Sequence, residues 1–211
     1  SKVHTLSEAS AFLTFSTNWF VRPTQWLATW AIYQFAALNP LPYHLISILL
    51  ECACALLLGF FAYRLLKAYQ KPPGSYAFSA IAVATLFLFS WRHHEAVFWY
   101  SSINELLSSF FKLTSLFLVT YLVHQKTKAK AVLIGAATLG AFALALLSKE
   151  SAIVLPLELA LLLALDHLAR SRQKRRLALY ILFLIPFMAL LGLWAFSYLQ
   201  TSTVSSVTSV E

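Results

Sequence analysis

Charged residues are scarce in this chain. Asp, Glu, Lys and Arg make up only 11% of the 211 residues, whereas about 25% is usual for a soluble globular domain. So few charges give too little polar surface for a soluble fold, and the high apolar content excludes a disordered chain. Acidic residues are the scarcer of the two charged groups, with 8 Asp and Glu against 16 Lys and Arg, and Asp166 is the single aspartate.

Cysteine and glycine are also few. The two cysteines, Cys52 and Cys54, lie two apart in an apolar run, so on a helix they face different directions. This number and spacing exclude a disulfide scaffold and a zinc site built on cysteine. The five glycines form no glycine-rich phosphate loop.

Apolar residues are abundant instead. The chain is 60% hydrophobic, its mean hydropathy is +0.72, and its few charges form short clusters between long apolar runs. This pattern is typical of a polytopic membrane protein, in which a helix rising ~1.5 Å per residue crosses ~30 Å of hydrocarbon. We predict an all-α transmembrane bundle of about six spans, at residues 43–65, 75–91, 104–123, 130–148, 151–168 and 177–198.

Two flanking segments complete the predicted organisation. Residues 1–42 interleave Trp, Tyr and Phe with a few polar side chains, which is typical of an amphipathic segment in the outer membrane interface. The sequence Asn39-Pro40-Leu41-Pro42 is expected to end that segment and start the first span. Residues 43–198 then form the six-span domain, and the Ser, Thr and Val tail at 199–211 lies outside.

The net charge of +8 is interpreted as an orientation signal and not as a nucleic-acid-binding surface. Three alternate connections hold most of the basic residues, which places them in the cytoplasm by the positive-inside rule. Both ends of the chain are then extracytoplasmic, in what we expect to be a bacterial inner membrane. An outer start without a signal peptide predicts a further span upstream. The basic residues in these connections are Arg64, Lys67, Lys71, Lys126, Lys128, Lys130, Arg170, Arg172, Lys174, Arg175 and Arg176.

Three charged residues fall inside predicted spans. Glu51, Lys112 and Glu158 are each seven or eight residues from the outer end of their span, a common depth of about 10–12 Å. Charges inside a membrane are costly and are often functional, so the three are candidates for a cluster or an outward-open cavity. The alternatives are a structural ion pair, or Lys112 extending its amine to the surface.

Polar residues are also concentrated in the predicted outer loops. Arg92, His93, His94 and Glu95 begin one loop, and Lys149 and Glu150 lie in a tight one. The adjacent histidines lack the i, i+4 spacing that places two metal ligands on one helix face. Clustered Arg, Lys and His suit a phosphate better. No cofactor is predicted firmly, although a divalent cation remains an alternative.

Four stretches together resemble the GT-C superfamily of polytopic glycosyltransferases, in particular its protein O-mannosyltransferase branch. The resemblance extends over about residues 15–200. The stretches are Arg22-Pro23, Asn39-Pro40-Leu41-Pro42-Tyr43-His44-Leu45, His93-His94-Glu95-Ala96-Val97-Phe98-Trp99 with Glu105-Leu106-Leu107, and Leu147-Ser148-Lys149-Glu150 with Pro156.

The resemblance implies transfer of a sugar from a polyprenyl-phosphate carrier to an acceptor outside the membrane. It places Arg22, Arg92, His93 and Lys149 near the carrier phosphate. It implies that Glu95, Glu105 and Glu150 position the substrate or hold a metal, and it adds His44 to the binding candidates. An acidic base would activate the acceptor hydroxyl.

The chain departs from the family pattern at the catalytic acid. The family's aspartate in the first outer loop has no counterpart, since Asp166 is at the cytoplasmic end of the fifth span; by its usual distance from Arg-Pro, that acid would precede residue 1. The catalytic residue is therefore unknown. Two further functions stay open: a non-catalytic GT-C-like subunit of a larger membrane complex, which would bind other membrane subunits, and a transporter that uses the three charges within the spans.

Overall fold

The computed structural model describes residues 22–69, 76–90, 97–122, 125, 127–169 and 183–196, and all regular structure in these ranges is helical. An all-α fold is therefore confirmed for the described part of the chain. The α-helices are α1 (Pro23–Ala36), α2 (Pro40–Tyr69), α3 (Tyr76–Leu88), α4 (Ile103–Leu122), α5 (Lys128–Ser148), α6 (Leu155–Ala169) and α7 (Phe183–Phe196), with 3₁₀ turns at Tyr100–Ser102 and Glu150–Val154.

The break between α1 and α2 falls where the sequence predicted it. Asn39 lies before the first residue of α2, and its side-chain Oδ1 accepts a hydrogen bond from the backbone N–H of Leu41 at 3.1 Å. Pro40 follows as the first helical residue, where its missing N–H costs nothing. Pro40 thus begins the first predicted span, three residues earlier than expected.

Helices α2 and α4 run side by side in the same direction. Tyr43 contacts Tyr100 just before α4, and Arg64 near the end of α2 contacts Thr120 near the end of α4. Helix α3 returns antiparallel to α2, as the contact between Tyr63 near the end of α2 and Tyr76 at the start of α3 shows. We call the end of the bundle where α2 and α4 begin the α1 end.

Helix α5 returns antiparallel to α4, with the Ser115 hydroxyl donating to the Thr138 carbonyl at 3.2 Å. Lys149 then adopts an extended backbone that ends α5, and the 3₁₀ turn leads into α6. The main core lies among α4, α5, α6 and α7, where the rings of Phe142 and Phe187 stack with centroids 5.4 Å apart.

Three of the six predicted spans are helices long and apolar enough to cross a membrane. They are α2, α4 and α5, and only 28–33% of each apolar window is buried inside the protein. Such broad apolar exposure is typical of helices solvated by lipid, since soluble proteins seldom expose large apolar patches. The described helices in the other predicted spans, α3, α6 and α7, are shorter, so the number of six spans stays a prediction.

Candidate functional site

Two ion pairs join distant parts of the chain at the α1 end. A terminal nitrogen of the Arg22 guanidinium donates to both carboxylate oxygens of Glu150, at 3.0 and 3.3 Å. The Lys149 amine pairs with the Glu105 carboxylate. Arg22 precedes α1, Glu105 is in the first turn of α4, and the other two residues lie between α5 and α6. We call Arg22, Glu105, Lys149 and Glu150 the outer tetrad.

The turn after α5 places two members of the tetrad side by side. The backbone N–H of Lys149 donates to the Ala145 carbonyl at 3.0 Å, and its own carbonyl accepts from the N–H of Ala152 at 3.1 Å. These bonds hold Lys149 between the end of α5 and the 3₁₀ turn. Its side chain and that of Glu150 therefore face two different partners, Glu105 and Arg22.

A hydroxyl pair anchors α1 next to the tetrad. The Thr24 hydroxyl donates to Ser148 Oγ at 2.8 Å, and the Ser148 hydroxyl donates to the Leu144 carbonyl at 2.7 Å. Ser148 is fully buried, so the contact fixes the start of α1 against α5. Arg22 is two residues before Thr24, and this contact consequently holds its guanidinium close to Glu150.

Aromatic contacts fix the other side of α1. The Tyr100 hydroxyl donates to Thr29 Oγ1 at 3.1 Å, and the Tyr43 ring meets the Tyr100 ring edge-on with centroids 4.7 Å apart. The Tyr43 hydroxyl also donates to the Ala37 carbonyl at 2.8 Å. These contacts join α1, α2 and the start of α4, so they hold together the helices next to the tetrad.

The cations of the tetrad lie deeper than the carboxylates. The side chains of Arg22 and Lys149 are 23% and 22% exposed, against 37% for Glu150 and 44% for Glu105. Burial lowers the pKa of the Lys149 amine from its ordinary value; the nearby Glu150 carboxylate raises it, and the Arg22 cation lowers it further. Two positive groups thus lie close together, each covered by an acid.

The remaining predicted phosphate-site residues are not seen in this cluster. His44 is exposed near the start of α2, and the hydrogen bonds and ion pairs of the described residues do not connect it to the tetrad. Arg92, His93 and Glu95 lie outside the described residues.

The three charges predicted at one depth divide between two levels. Lys112 and Glu158 line one cleft of about 400 Å³ between α2, α3, α4 and α6. Glu51 is buried, 5% exposed, one turn before Cys54, whose thiol contacts the Leu106 carbonyl at 3.8 Å. Lys112 is six residues beyond Leu106, which is ~9 Å further along α4. Counting from predicted span ends overlooked this offset, which depends on how α2 and α4 pack.

The described part of the chain offers no cluster of side chains that could bind a metal ion. It contains no group of three or more His, Cys, Asp or Glu side chains able to hold an ion. The carboxylates of the tetrad are paired with cations, an arrangement that suits anion recognition better than metal binding.

Sequence reasoning missed the uncharged residues that hold the site together. Thr24, Thr29 and Tyr100 each make a hydrogen bond that fixes α1, but an isolated Thr or Tyr carries no distinctive pattern. The one available signal was position, since Thr24 follows Arg22-Pro23 directly and Ser148 precedes Lys149.

Comparison of the chain with protein-family models, with curated proteins and with solved structures gives no match.

Proposed function

We propose that this protein is a six-span membrane glycosyltransferase in which Arg22 and Lys149 bind the phosphate of a polyprenyl-phosphate sugar. The observation that carries the proposal is the convergence of these two cations from sites more than 120 residues apart in sequence at one end of a bundle with membrane-length helices. The resemblance of the chain to GT-C enzymes supplies the substrate class and the reaction.

The chemistry of the two cations fits this role. Arg22 offers a planar guanidinium that can donate two parallel hydrogen bonds to phosphate oxygens. Lys149 offers a compact charge, and both stabilise the negative charge that grows on a leaving phosphate. The acceptor-activating base is not assigned among the described residues.

Lipid binding gives the direct test. The full chain, purified in detergent, is titrated with an undecaprenyl monophosphate whose fluorescent label allows anisotropy to be measured. Arg22→Ala and Lys149→Ala are each expected to weaken binding about tenfold or more, because a hydrogen bond to a charged group contributes roughly 1.5–3 kcal/mol. Lys128→Ala is the matched control, since Lys128 is exposed at the first turn of α5, far from the tetrad.

Two outcomes contradict the proposal. Equal affinity of the wild type, Arg22→Ala and Lys149→Ala for undecaprenyl monophosphate would show that these two residues do not bind its phosphate. Absence of lipid binding by the wild type, with isolation of the chain in a stoichiometric membrane complex, would favour a non-catalytic subunit.

A further inference from the structure

The outer tetrad has no net charge before any ligand arrives. Arg22 and Lys149 contribute two positive charges, and Glu105 and Glu150 contribute two negative ones. A free phosphate approaching from solution is therefore not attracted by a net positive patch. An anion that takes up the donors used in these pairs must displace the carboxylates that they already hold.

The relative exposure of the four side chains shows which groups a ligand meets first. In both pairs the carboxylate is more exposed than its cation, by 37% to 23% for Glu150 and Arg22 and by 44% to 22% for Glu105 and Lys149. In each pair the acid is thus the more solvent-accessible partner.

From this geometry we propose that Glu105 and Glu150 occupy the anion site until a phosphate ligand displaces them. The proposal rests on the proposed function, since it assigns a specificity device to the same site. A carboxylate and a phosphate oxygen make similar charge-assisted hydrogen bonds to Arg and Lys, so the two acids compete directly with the ligand.

This competition lowers the affinity for either phosphate, so that only a ligand with a second source of binding energy still binds tightly. Free inorganic phosphate gains contacts only with the two cations, and it loses part of that gain in separating the ion pairs. A phosphate carried on a polyprenyl chain also transfers apolar surface from water to the protein or bilayer. The carboxylates therefore raise the threshold against free phosphate while a lipid-linked phosphate still binds.

The displacement is feasible because both pairs are partly exposed. Partly exposed ion pairs are weak, and solvent readily takes over their interactions. Glu105 and Glu150 can therefore swing away without a large penalty, whereas Arg22 is held in place by the neighbouring Thr24–Ser148 hydrogen bond.

The test uses the variants Glu105→Gln and Glu150→Gln, which keep the side-chain shape and remove the negative charge. Each is expected to bind inorganic phosphate about three to ten times more tightly than the wild type, because a weak competing pair is lost. Affinity for undecaprenyl monophosphate should rise by a similar or smaller factor. Both ligands are titrated into the purified full chain by isothermal calorimetry. Glu158→Gln is the matched control, because Glu158 is not one of the four residues of the tetrad and lies in α6, where it lines the cleft.

The outcomes separate this proposal from the proposed function. If both Gln variants bind phosphate no more tightly than the wild type, the proposed displacement is wrong. If Arg22→Ala and Lys149→Ala still bind phosphate more weakly, the proposed phosphate site is retained. Unchanged lipid binding in Arg22→Ala and Lys149→Ala would overturn the site itself. If a Gln variant unfolds at a lower temperature than the wild type, the increase in its unfolding midpoint on adding phosphate is measured instead. That increase should be larger than the increase in the wild type.

Discussion

At the level of single residues, Lys149 should make the proposed phosphate site depend on pH. Because burial lowers its pKa below the ordinary value of 10.5, the amine loses its proton at a lower pH than a free lysine. Phosphate affinity should therefore begin to fall at a lower pH than it would with an unperturbed lysine, while the phosphate itself keeps its charge. Lys149→Arg should remove most of this fall, because arginine stays protonated there.

The measurement is the dissociation constant of undecaprenyl monophosphate at several pH values for the wild type and Lys149→Arg. Stability should change in the opposite direction: the unfolded chain binds the Lys149 proton more tightly than the folded one, so the free energy of unfolding rises with pH between the lowered pKa and 10.5. Parallel pH curves for the two proteins would show that another group governs binding.

Ala37, just after α1, has a backbone that favours glycine. Its φ is 48° and its ψ is −118°, a region that side chains with a Cβ rarely adopt. Ala37→Gly should raise the free energy of unfolding by about 0.5–1 kcal/mol, because glycine adopts this backbone conformation without strain. The hydrogen bonds to Tyr33 and Tyr43 involve only the backbone of residue 37 and are kept. Thermal unfolding in detergent measures this change. Ala136→Gly in α5 is the control and should be destabilising; a loss of stability in Ala37→Gly would contradict the prediction.

The charged residues of the site were largely predictable, whereas their partners were not. Glu105, Lys149 and Glu150 lie at the predicted outer ends of spans, and Arg22 lies in the predicted interfacial segment, so the sequence predicted all four on the same side of the membrane. It could not assign Arg22 to Glu150, because that contact spans 128 residues and depends on the packing of α1 against α5. The uncharged Thr24 was missed for the same reason.

At the level of helices, Gly59 controls how closely α2 and α3 approach. A Cβ built at this position would lie 3.1 Å from the Cβ of Ala84 and 3.4 Å from the Ala80 carbonyl oxygen. Gly59→Val should therefore push the helices apart and destabilise the protein by about 1–3 kcal/mol.

Gly140→Val in α5 is the matched control, since a Cβ there meets nothing within 4 Å. Both changes insert the same β-branched residue into a helix, so the difference between their thermal midpoints isolates the α2–α3 contact. Equal midpoints would show that α3 can move away from α2 without cost.

Helix lengths explain why some spans were easier to predict than others. Helices α2, α4 and α5 follow from long, predominantly apolar segments, which leave few alternatives to a membrane-spanning helix. The segment at 151–168 reads as one apolar run, but its first part is the 3₁₀ turn Glu150–Val154. Apolar composition does not distinguish these two kinds of helix, since the difference lies in backbone hydrogen bonding.

At the level of the whole molecule, the described Lys and Arg residues other than Lys112 divide between the two ends of the bundle. Arg22 and Lys149 lie at the α1 end. Arg64 and Lys67 lie near the end of α2, and Lys128 starts α5 at that same opposite end. The parallel packing of α2 with α4 and the antiparallel packing of α4 with α5 fix this division independently of any charge rule. The basic end is the one that the positive-inside rule assigns to the cytoplasm.

Cysteine labelling tests this orientation. In a Cys52→Ser, Cys54→Ser background, single cysteines replace Asn39 at the α1 end and Lys128 at the opposite end, both of which are exposed. A membrane-impermeant maleimide added to intact bacterial spheroplasts should label Asn39→Cys and leave Lys128→Cys unlabelled, because the predicted orientation places only the α1 end outside. Inside-out vesicles should give the reverse pattern. Labelling of Lys128→Cys from outside would show the opposite orientation. The proposed phosphate site would then lie at the cytoplasmic face, where no extracytoplasmic acceptor could reach it.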